Sequence, residues 1–313
     1  MISFIYYNMM SSFIKADYDI LKDVDDVSYR SIRDIPRMFF SIMSSDMSFS
    51  WFAGGHAALA VLFSRLLGKK SIVILGGYEV ANLPEIGYGA CLNRKSSLLV
   101  KFALKFADKV LAVDESLKDE AIKNYGLSGD NISVVPTGYD HEHFKMSGQK
   151  ENVVITVAPR SAYLRKGIPL FLEAAHLMPH LKFVVVGKGW QDAPENVEFP
   201  GFVSDDELLK YYQRAKVYCQ LSLHEGLPNA LCEAMLCECV PIGSRANGIP
   251  KAIGNTGFYA ENVDELVSAI EKAIQTSGGP ARDRIMKLFP IEFREAKLHE
   301  LDSQLLRPEG RSL

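Results

Sequence analysis

The feature that most restricts this chain is a repeated switch between two hydrophobic periods. Short β-branched runs, SIVILG (71–76), KVLAV (109–113), VVITVA (153–158) and KFVVVG (182–187), alternate with longer stretches patterned for helices. Alternation of this kind builds α/β domains. The runs are apolar throughout, with no in-and-out alternation, so both faces of each strand must be covered. Parallel sheets with helices on either side cover strands in that way.

In the first half the pattern predicts strands at 2–7, about 47–53, 71–76, 109–113 and 132–136, with helices at 56–68 and 96–108. A second series follows the polar connection KMSGQKE (145–151), with strands at 153–158, 182–187, 196–199, 217–221 and 240–243. A chain of 313 residues is long for one core and suits two domains, expected at 1–147 and 148–290. Ser204 and Glu207 stand at capping-box spacing. The final stretch, 291–313, begins IEFREAKLHELDSQLL and puts Ile291, Phe293, Leu298, Leu301 and Leu305 along one helical side.

Composition removes several function classes. A net charge of −3, balanced along the chain, gives no field to attract nucleic acid. Five cysteines without a CxxC pair fit buried thiols in a reducing compartment. No stretch reaches the ~20 apolar residues that span a bilayer. MISFIYY reads as a first strand, lacking the basic segment of a signal peptide. The expected location is cytoplasmic. The segment 94–109 combines Arg94, Lys95, Lys101, Lys105 and Lys109 with Leu98, Phe102 and Phe106, a face suited to peripheral contact with an anionic membrane or to the basic outer side of a domain helix. Neither the His141/His143 pair nor Asp23-Val24-Asp25 has the companions of a metal site, and none is expected.

Parallel sheets bind ligands at the carboxyl ends of their strands, and four loops of the second half fall there. They are APRSAYLRKG, GKG (187–189), GFVS (201–204) and HEGLPNAL. In the last, Pro228 and Asn229 favour a helix start, Pro228 as a first-turn residue and Asn229 as N-cap. Backbone N–H groups near Ala230 and Leu231 would then face a phosphate. Glu233, about one turn in, suits ribose hydroxyls, and Glu225 suits the group beyond the phosphate. Ribose, diphosphate and sugar make a nucleotide sugar. The first of these loops supplies three cations, Arg160, Arg165 and Lys166.

This ordered set resembles the retaining glycosyltransferases of family 4, which have the GT-B fold. The matching segments are Arg160 to Lys166-Gly167, VGKG, PGFVS, the two glutamates of E-x7-E, EAMLCECVPI, NGIP and GNTGF, with VVPTGYDHEHF before them. The resemblance implies two Rossmann-like domains whose parallel sheets face across a cleft. It also implies that 291–313 crosses back onto the first domain. It implies transfer of a sugar from a nucleoside-diphosphate donor to a hydroxyl acceptor, with retention and with no metal or other cofactor. By the same resemblance, Arg160 and Lys166 neutralise the diphosphate, Glu225 contacts the transferred sugar and Glu233 holds ribose; Arg165 is expected to stand by. Phe202 and Val203 meet the base, and Gly226, Asn229, Ala230 and Leu231 line the donor. Gly76, Gly77 and Glu79, with His56, fall on the acceptor side. The sequence departs from the family where GGYEV replaces a histidine-bearing loop, where Glu238 takes a usual glycine position and where Lys251 replaces an acid. The competing readings are a sugar-nucleotide epimerase and a non-catalytic nucleotide-sugar-binding subunit.

Overall fold

The computed structural model describes residues 1–21, 23–190 and 194–306. The chain divides into two compact units. The first runs from Met1 to Gly138 and takes in the helix that starts at Ile291; the second is Tyr139–Pro290. The first unit thus ends earlier than the expected 147. Tyr139 donates its N–H to Phe289 O at 3.0 Å, and Arg282 binds the carbonyls of His141 and Phe144, so the polar connection is tied into the second unit.

The first unit holds β1 (Ile2–Tyr7), α1 (Ser12–Ile20), β2 (Val24–Tyr29), α2 (Ile35–Ser44), β3 (Met47–Trp51), α3 (Gly55–Leu66), β4 (Lys70–Leu75), α4 (Arg94–Phe106), β5 (Lys109–Ala112), α5 (Glu115–Tyr125) and β6 (Ile132–Val134). Its strands form one parallel sheet in the order β2-β1-β3-β4-β5-β6. β2 is absent from the sequence expectation. Its VDDVSY puts two acids into an edge strand whose residues, Val27 apart, are only half-buried, so no apolar run marks it.

The second unit comprises β7 (Glu151–Val157), α6 (Ile168–Leu177), β8 (Lys182–Val186), β9 (Val197–Gly201), α7 (Asp205–Arg214), β10 (Ala215–Gln220), α8 (Asn229–Leu236), β11 (Val240–Gly243), α9 (Ile249–Ile253), β12 (Phe258–Tyr259), α10 (Val263–Gln275) and α11 (Gly279–Leu288). Its parallel sheet has the order β12-β11-β10-β7-β8-β9. Phe171, Phe183, Val185, Val217, Ile242 and Leu266 are among the side chains sealed in its core. Ser204 and Glu207 close both arms of the capping box that starts α7.

The last helix, α12 (Ile291–Leu306), belongs to the first unit, and residues 307–313 of the expected 291–313 segment lie outside the described residues. Leu298 and Leu301 are buried on it, whereas Phe293 is 44% exposed. The side chain it buries most deeply is a cation. Arg294 is 1% exposed and grips Asp17 of α1 through Nε–Oδ1 at 2.9 Å and Nη2–Oδ2 at 2.6 Å. Arg294 Nη1 also donates to Val135 O at 2.6 Å, and Trp51 Nε1 donates to Asp17 Oδ2 at 3.0 Å.

Candidate functional site

In a parallel sheet wound in both directions, a crevice opens where the strand order reverses. In the second unit that point lies between β7 and β10, which pair directly, Val154 opposite Val217. The loop after β7 carries Arg160, Arg165 and Lys166; the loop after β10 carries Glu225. Gly167 lets these loops meet. It sits at φ +65°, and a Cβ there would fall 2.1 Å from Leu221 O. Leu223 N–H then donates to Arg165 O at 2.8 Å, fixing one loop to the other.

Glu225 is the hub of the crevice. Its Oε1 lies 2.5 Å from Lys166 Nζ and 3.1 Å from Arg165 Nη1, and it accepts from Ser222 Oγ at 2.9 Å and Gln220 Nε2 at 3.2 Å. Burial alone would raise its pKa. The charges of Lys166 and Arg165, with the hydrogen bonds from Lys166 and Ser222, outweigh burial and hold the carboxyl below its ordinary value. Arg165, expected to stand by, is a direct partner. Asn247, from the loop after β11, accepts the Glu225 N–H at 3.4 Å.

The neighbouring loops add a cation and an aromatic surface. Gly187, at φ +150°, ends β8 so close to Ala158 that a Cβ would lie 2.2 Å from its carbonyl oxygen. Arg160 N–H donates to Lys188 O at 3.0 Å. The Arg160 guanidinium lies 4.6 Å from the Tyr163 ring centre and 5.2 Å from that of Trp190, while the residue stays exposed. Two rings thus orient a cation whose hydrogen-bonding edge remains available. Phe202, just past β9, is 75% exposed, and Val203 beside it is half-buried.

At the start of α8 the cap is Pro228, not Asn229. Pro228 O accepts the N–H groups of Leu231 (3.1 Å) and Cys232 (3.2 Å), which makes Asn229 the first helical residue. Its side-chain Oδ1 instead accepts from Tyr139 OH at 2.7 Å. Ala230 is half-buried and Leu231 fully buried, and Gly226 is buried beside Glu225. Of the two N–H groups expected to face a phosphate, that of Leu231 already has a partner within the turn.

Glu233 is buried at 7% exposure and accepts from Tyr212 OH at 3.3 Å. Burial, only partly opposed by that hydrogen bond, pushes its pKa up to about 7. Tyr212 meets Tyr218 edge to face at 6.0 Å, and Tyr218 OH donates to Gln220 Oε1 at 3.0 Å. Gln220 in turn donates to Glu225 and to Ser222 Oγ, so buried polar groups and tyrosine rings run between the two glutamates. The one hint of this in the sequence is a glutamine at the end of the apolar run VYCQL.

In the first unit the expected acceptor-side residues divide. Glu79 is buried, and its carboxylate accepts the N–H groups of Ala53 (3.0 Å), Gly76 (3.3 Å) and Gly77 (2.8 Å). It braces the loops after β3 and β4. His56, the second residue of α3, is 4% exposed and hydrogen-bonded to Trp51 O at 2.8 Å. Glu238, at the usual glycine position, does adopt a left-handed backbone, φ +63°.

Residues 151–276 match the model for Glycosyl transferases group 1, and residues 47–143 match the Glycosyltransferase Family 4 model. The chain is 25% identical over 246 residues to a phosphatidylinositol N-acetylglucosaminyltransferase subunit of Arabidopsis thaliana, covering 70% of this chain and 53% of that protein. It is 24% identical over 203 residues to the serotype-specific mannosyltransferase WbdA of Escherichia coli, covering 54% of this chain and 24% of that one. The chain spans about half the length, or less, of these curated relatives. The structure of Anabaena Alr3699/HepE in complex with UDP-glucose superposes with a TM-score of 0.80 at 15% identity, covering 97% of this chain and 100% of that chain. At that identity the likeness establishes the fold, which is GT-B. With one model on each unit and glycosyltransferases among its relatives, the chain belongs to the group 1, family 4 glycosyltransferases.

Proposed function

We propose that this protein transfers a sugar from a nucleoside-diphosphate donor to a hydroxyl acceptor, with retention at the anomeric carbon and without a metal. The observation that carries this reading is the Arg165–Lys166–Glu225 cluster at the β7/β10 order reversal, beside the start of α8. Two cations share one carboxylate, which leaves a positive charge over, and Arg160 adds another. Such a group can neutralise a diphosphate as it leaves, the work a metal ion performs elsewhere. Exposed Phe202 offers a face to the base, and Glu233 offers an acceptor to ribose. Glu225, held ionised, suits the transferred sugar as positive charge develops on it.

The relatives are named for N-acetylglucosamine and mannose transfer, and one neighbour holds UDP-glucose. The donor panel follows from those names: UDP-glucose, UDP-N-acetylglucosamine and GDP-mannose. Thermal unfolding with each in the absence of divalent metal, followed by assay for released nucleotide, tests the proposal. A raised midpoint with slow release supports a transferase. Stabilisation with no release under any acceptor favours the non-catalytic reading, and no stabilisation by any nucleotide overturns both.

The setting fits a cytoplasmic enzyme touching a membrane from one side. Among the described residues no helix is long and apolar enough to cross a bilayer. On α4, Val100, Ala103 and Leu104 are buried, while Leu98 (61% exposed) and Leu99 (45%) face outward with Arg94, Lys95, Lys101 and Lys105. This outward mix suits an anionic headgroup layer and a glycolipid or lipid-linked glycan as acceptor. Co-sedimentation with phosphatidylglycerol vesicles, lost on Lys95→Glu with Lys101→Glu, checks it.

A further inference from the structure

β10 ends in a residue that the centre of a sheet does not require. Gln220 pairs with Gly243 of β11, stands between buried Cys219 and Leu221, and is itself 2% exposed. An amide taken out of water is costly unless its polar atoms find partners, and here they do. Its Oε1 accepts from Tyr218 OH at 3.0 Å, and its Nε2 donates to Ser222 Oγ at 2.8 Å and to Glu225 Oε1 at 3.2 Å. Tyr218 and Ser222 are wholly buried too. The sense of the amide is fixed from both sides. An ionised Glu225 only accepts, so Nε2 must face it, and Oε1 is left to take the tyrosine proton.

The donors around Glu225 are of two kinds. Lys166, Arg165, Ser222 and Gln220 all converge on Oε1, while Oε2 takes no hydrogen bond among the described residues. Lys166 and Arg165 are cations, for which a diphosphate would compete. Ser222 and Gln220 are neutral and buried, so they remain as holders of the carboxylate when a diphosphate engages the cations. Ser222 Oγ gives its proton to Glu225 at 2.9 Å and accepts from Gln220, so the glutamine aims the serine as well. The backbone behind the pair is pinned. Ser244 N–H donates to Gln220 O at 3.0 Å, and Ser244 Oγ donates to Ser222 O at 2.6 Å.

We infer that Gln220, backed by Tyr218, is the positioning residue that holds Glu225 by Oε1 and leaves Oε2 as the oxygen presented to the ligand once a diphosphate engages the two cations. Gln220 acts only through Glu225 and is not itself a catalytic residue. What the carboxylate then does in transfer rests on the function proposed above; the grip on it does not.

The full chain, labelled with carbon-13 at the glutamate side-chain carboxyl, tests this without any ligand. Glu225→Gln identifies the Glu225 resonance by its loss. Gln220→Met keeps the length of the side chain and removes both polar atoms. A donor taken from a carboxylate makes the charged form less favoured, so the Glu225 titration midpoint should rise by roughly half a pH unit or more. Tyr218→Phe leaves the amide but not its fixed sense, and should move the midpoint the same way by less; it carries the test if Gln220→Met does not fold. With UDP-glucose, UDP-N-acetylglucosamine or GDP-mannose, whichever the parent turns over, Gln220→Met should lower kcat by about tenfold or more, while donor KM and UDP affinity change by less than about threefold. The acidic limb of the kcat profile should move up with the NMR midpoint. A Glu225 midpoint unmoved in the folded variant, or a loss of UDP affinity as large as the loss of turnover, overturns the inference. Turnover of no nucleotide sugar by the parent strikes the function proposed above instead, and the unliganded NMR titration still decides the role of Gln220.

Discussion

Lys166 Nζ lies 2.5 Å from Glu225 Oε1, and the same oxygen lies 3.1 Å from Arg165 Nη1. Two of the cations that suit a diphosphate, Arg165 and Lys166, are therefore paired with one carboxylate. The shared carboxylate offsets one of the two positive charges and leaves the other over. On the function proposed above, a diphosphate would compete with Glu225 for these two cations. Replacing Arg160 and Lys166 together by alanine should weaken nucleoside-diphosphate binding by ~2–4 kcal/mol, the scale of lost charge-assisted contacts. Isothermal titration without added metal measures it, and unchanged affinity rejects the phosphate site.

The two glutamates should separate in kinetics. On the role proposed for it, Glu225→Gln removes an ionised group facing charge that develops in the transition state, so turnover should fall by roughly 10²-fold with donor affinity less affected. On the role proposed for it, Glu233→Gln should act mainly on affinity, because a ribose contact counts equally in ground and transition states. Steady-state kcat and KM for the donor decide it; parallel changes in both variants would remove the division of roles.

The strands with continuous apolar runs were legible because burial on both faces leaves no ambiguity of period. β2 was not, since its VDDVSY lies at a sheet edge and half of its character is polar. At the site, the loops could be placed because they follow readable strands. The pairing of Arg165 with Glu225 could not, because it depends on how Gly167 turns against Leu221. Pro228 holds the cap for a related reason: Asn229 is a good cap by type, but Tyr139, ninety positions earlier, takes its side chain. Local preference yielded to a distant partner. Arg294 is the same lesson in a helix, where an apolar side was expected and a buried guanidinium was found.

Glu233 should leave a mark on stability against pH. Its folded pKa is about 7, above the ordinary 4.5, so the folded state binds a proton more tightly than the unfolded one. The favourable contribution is complete below about pH 4.5 and is lost as pH rises through 7, by a few kcal/mol at most at ~1.4 kcal/mol per pH unit. Glu225 works in the opposite sense, since its folded pKa is depressed; its contribution is present above 4.5 and lost on acidification. Unliganded Glu233→Gln should therefore lose less stability than the parent between pH 5 and 8, as read from urea midpoints. An identical slope in both proteins would contradict a buried, proton-holding carboxyl.

The Arg294–Asp17 pair should hold the first unit together. The guanidinium makes two bonds to the carboxylate, a third to Val135 O, and lies 5.8 Å from the Trp51 ring centre; both charged side chains are almost wholly buried. Val135 leads into the crossing at Gly138, and Arg294 follows the return crossing at Pro290, so one side chain fastens both passages of the chain to α1. Removing one partner of such a pair strands the other without water, at ~3–5 kcal/mol. Arg294→Met should cost that much, and adding Asp17→Asn should recover part of it, because asparagine is neutral and still accepts from Trp51 Nε1. The chain's two tryptophans make the measurement clean: Trp51 lies in the first unit and Trp190 in the second. In a Trp190→Phe background, urea unfolding followed by fluorescence reports the first unit alone. There Arg294→Met should shift the midpoint down, while nucleotide affinity, measured below the transition with tryptophan restored at 190, stays as in the parent. A first unit indifferent to Arg294→Met, or a double variant no better than the single one, would show that the buried pair is not what fastens α12.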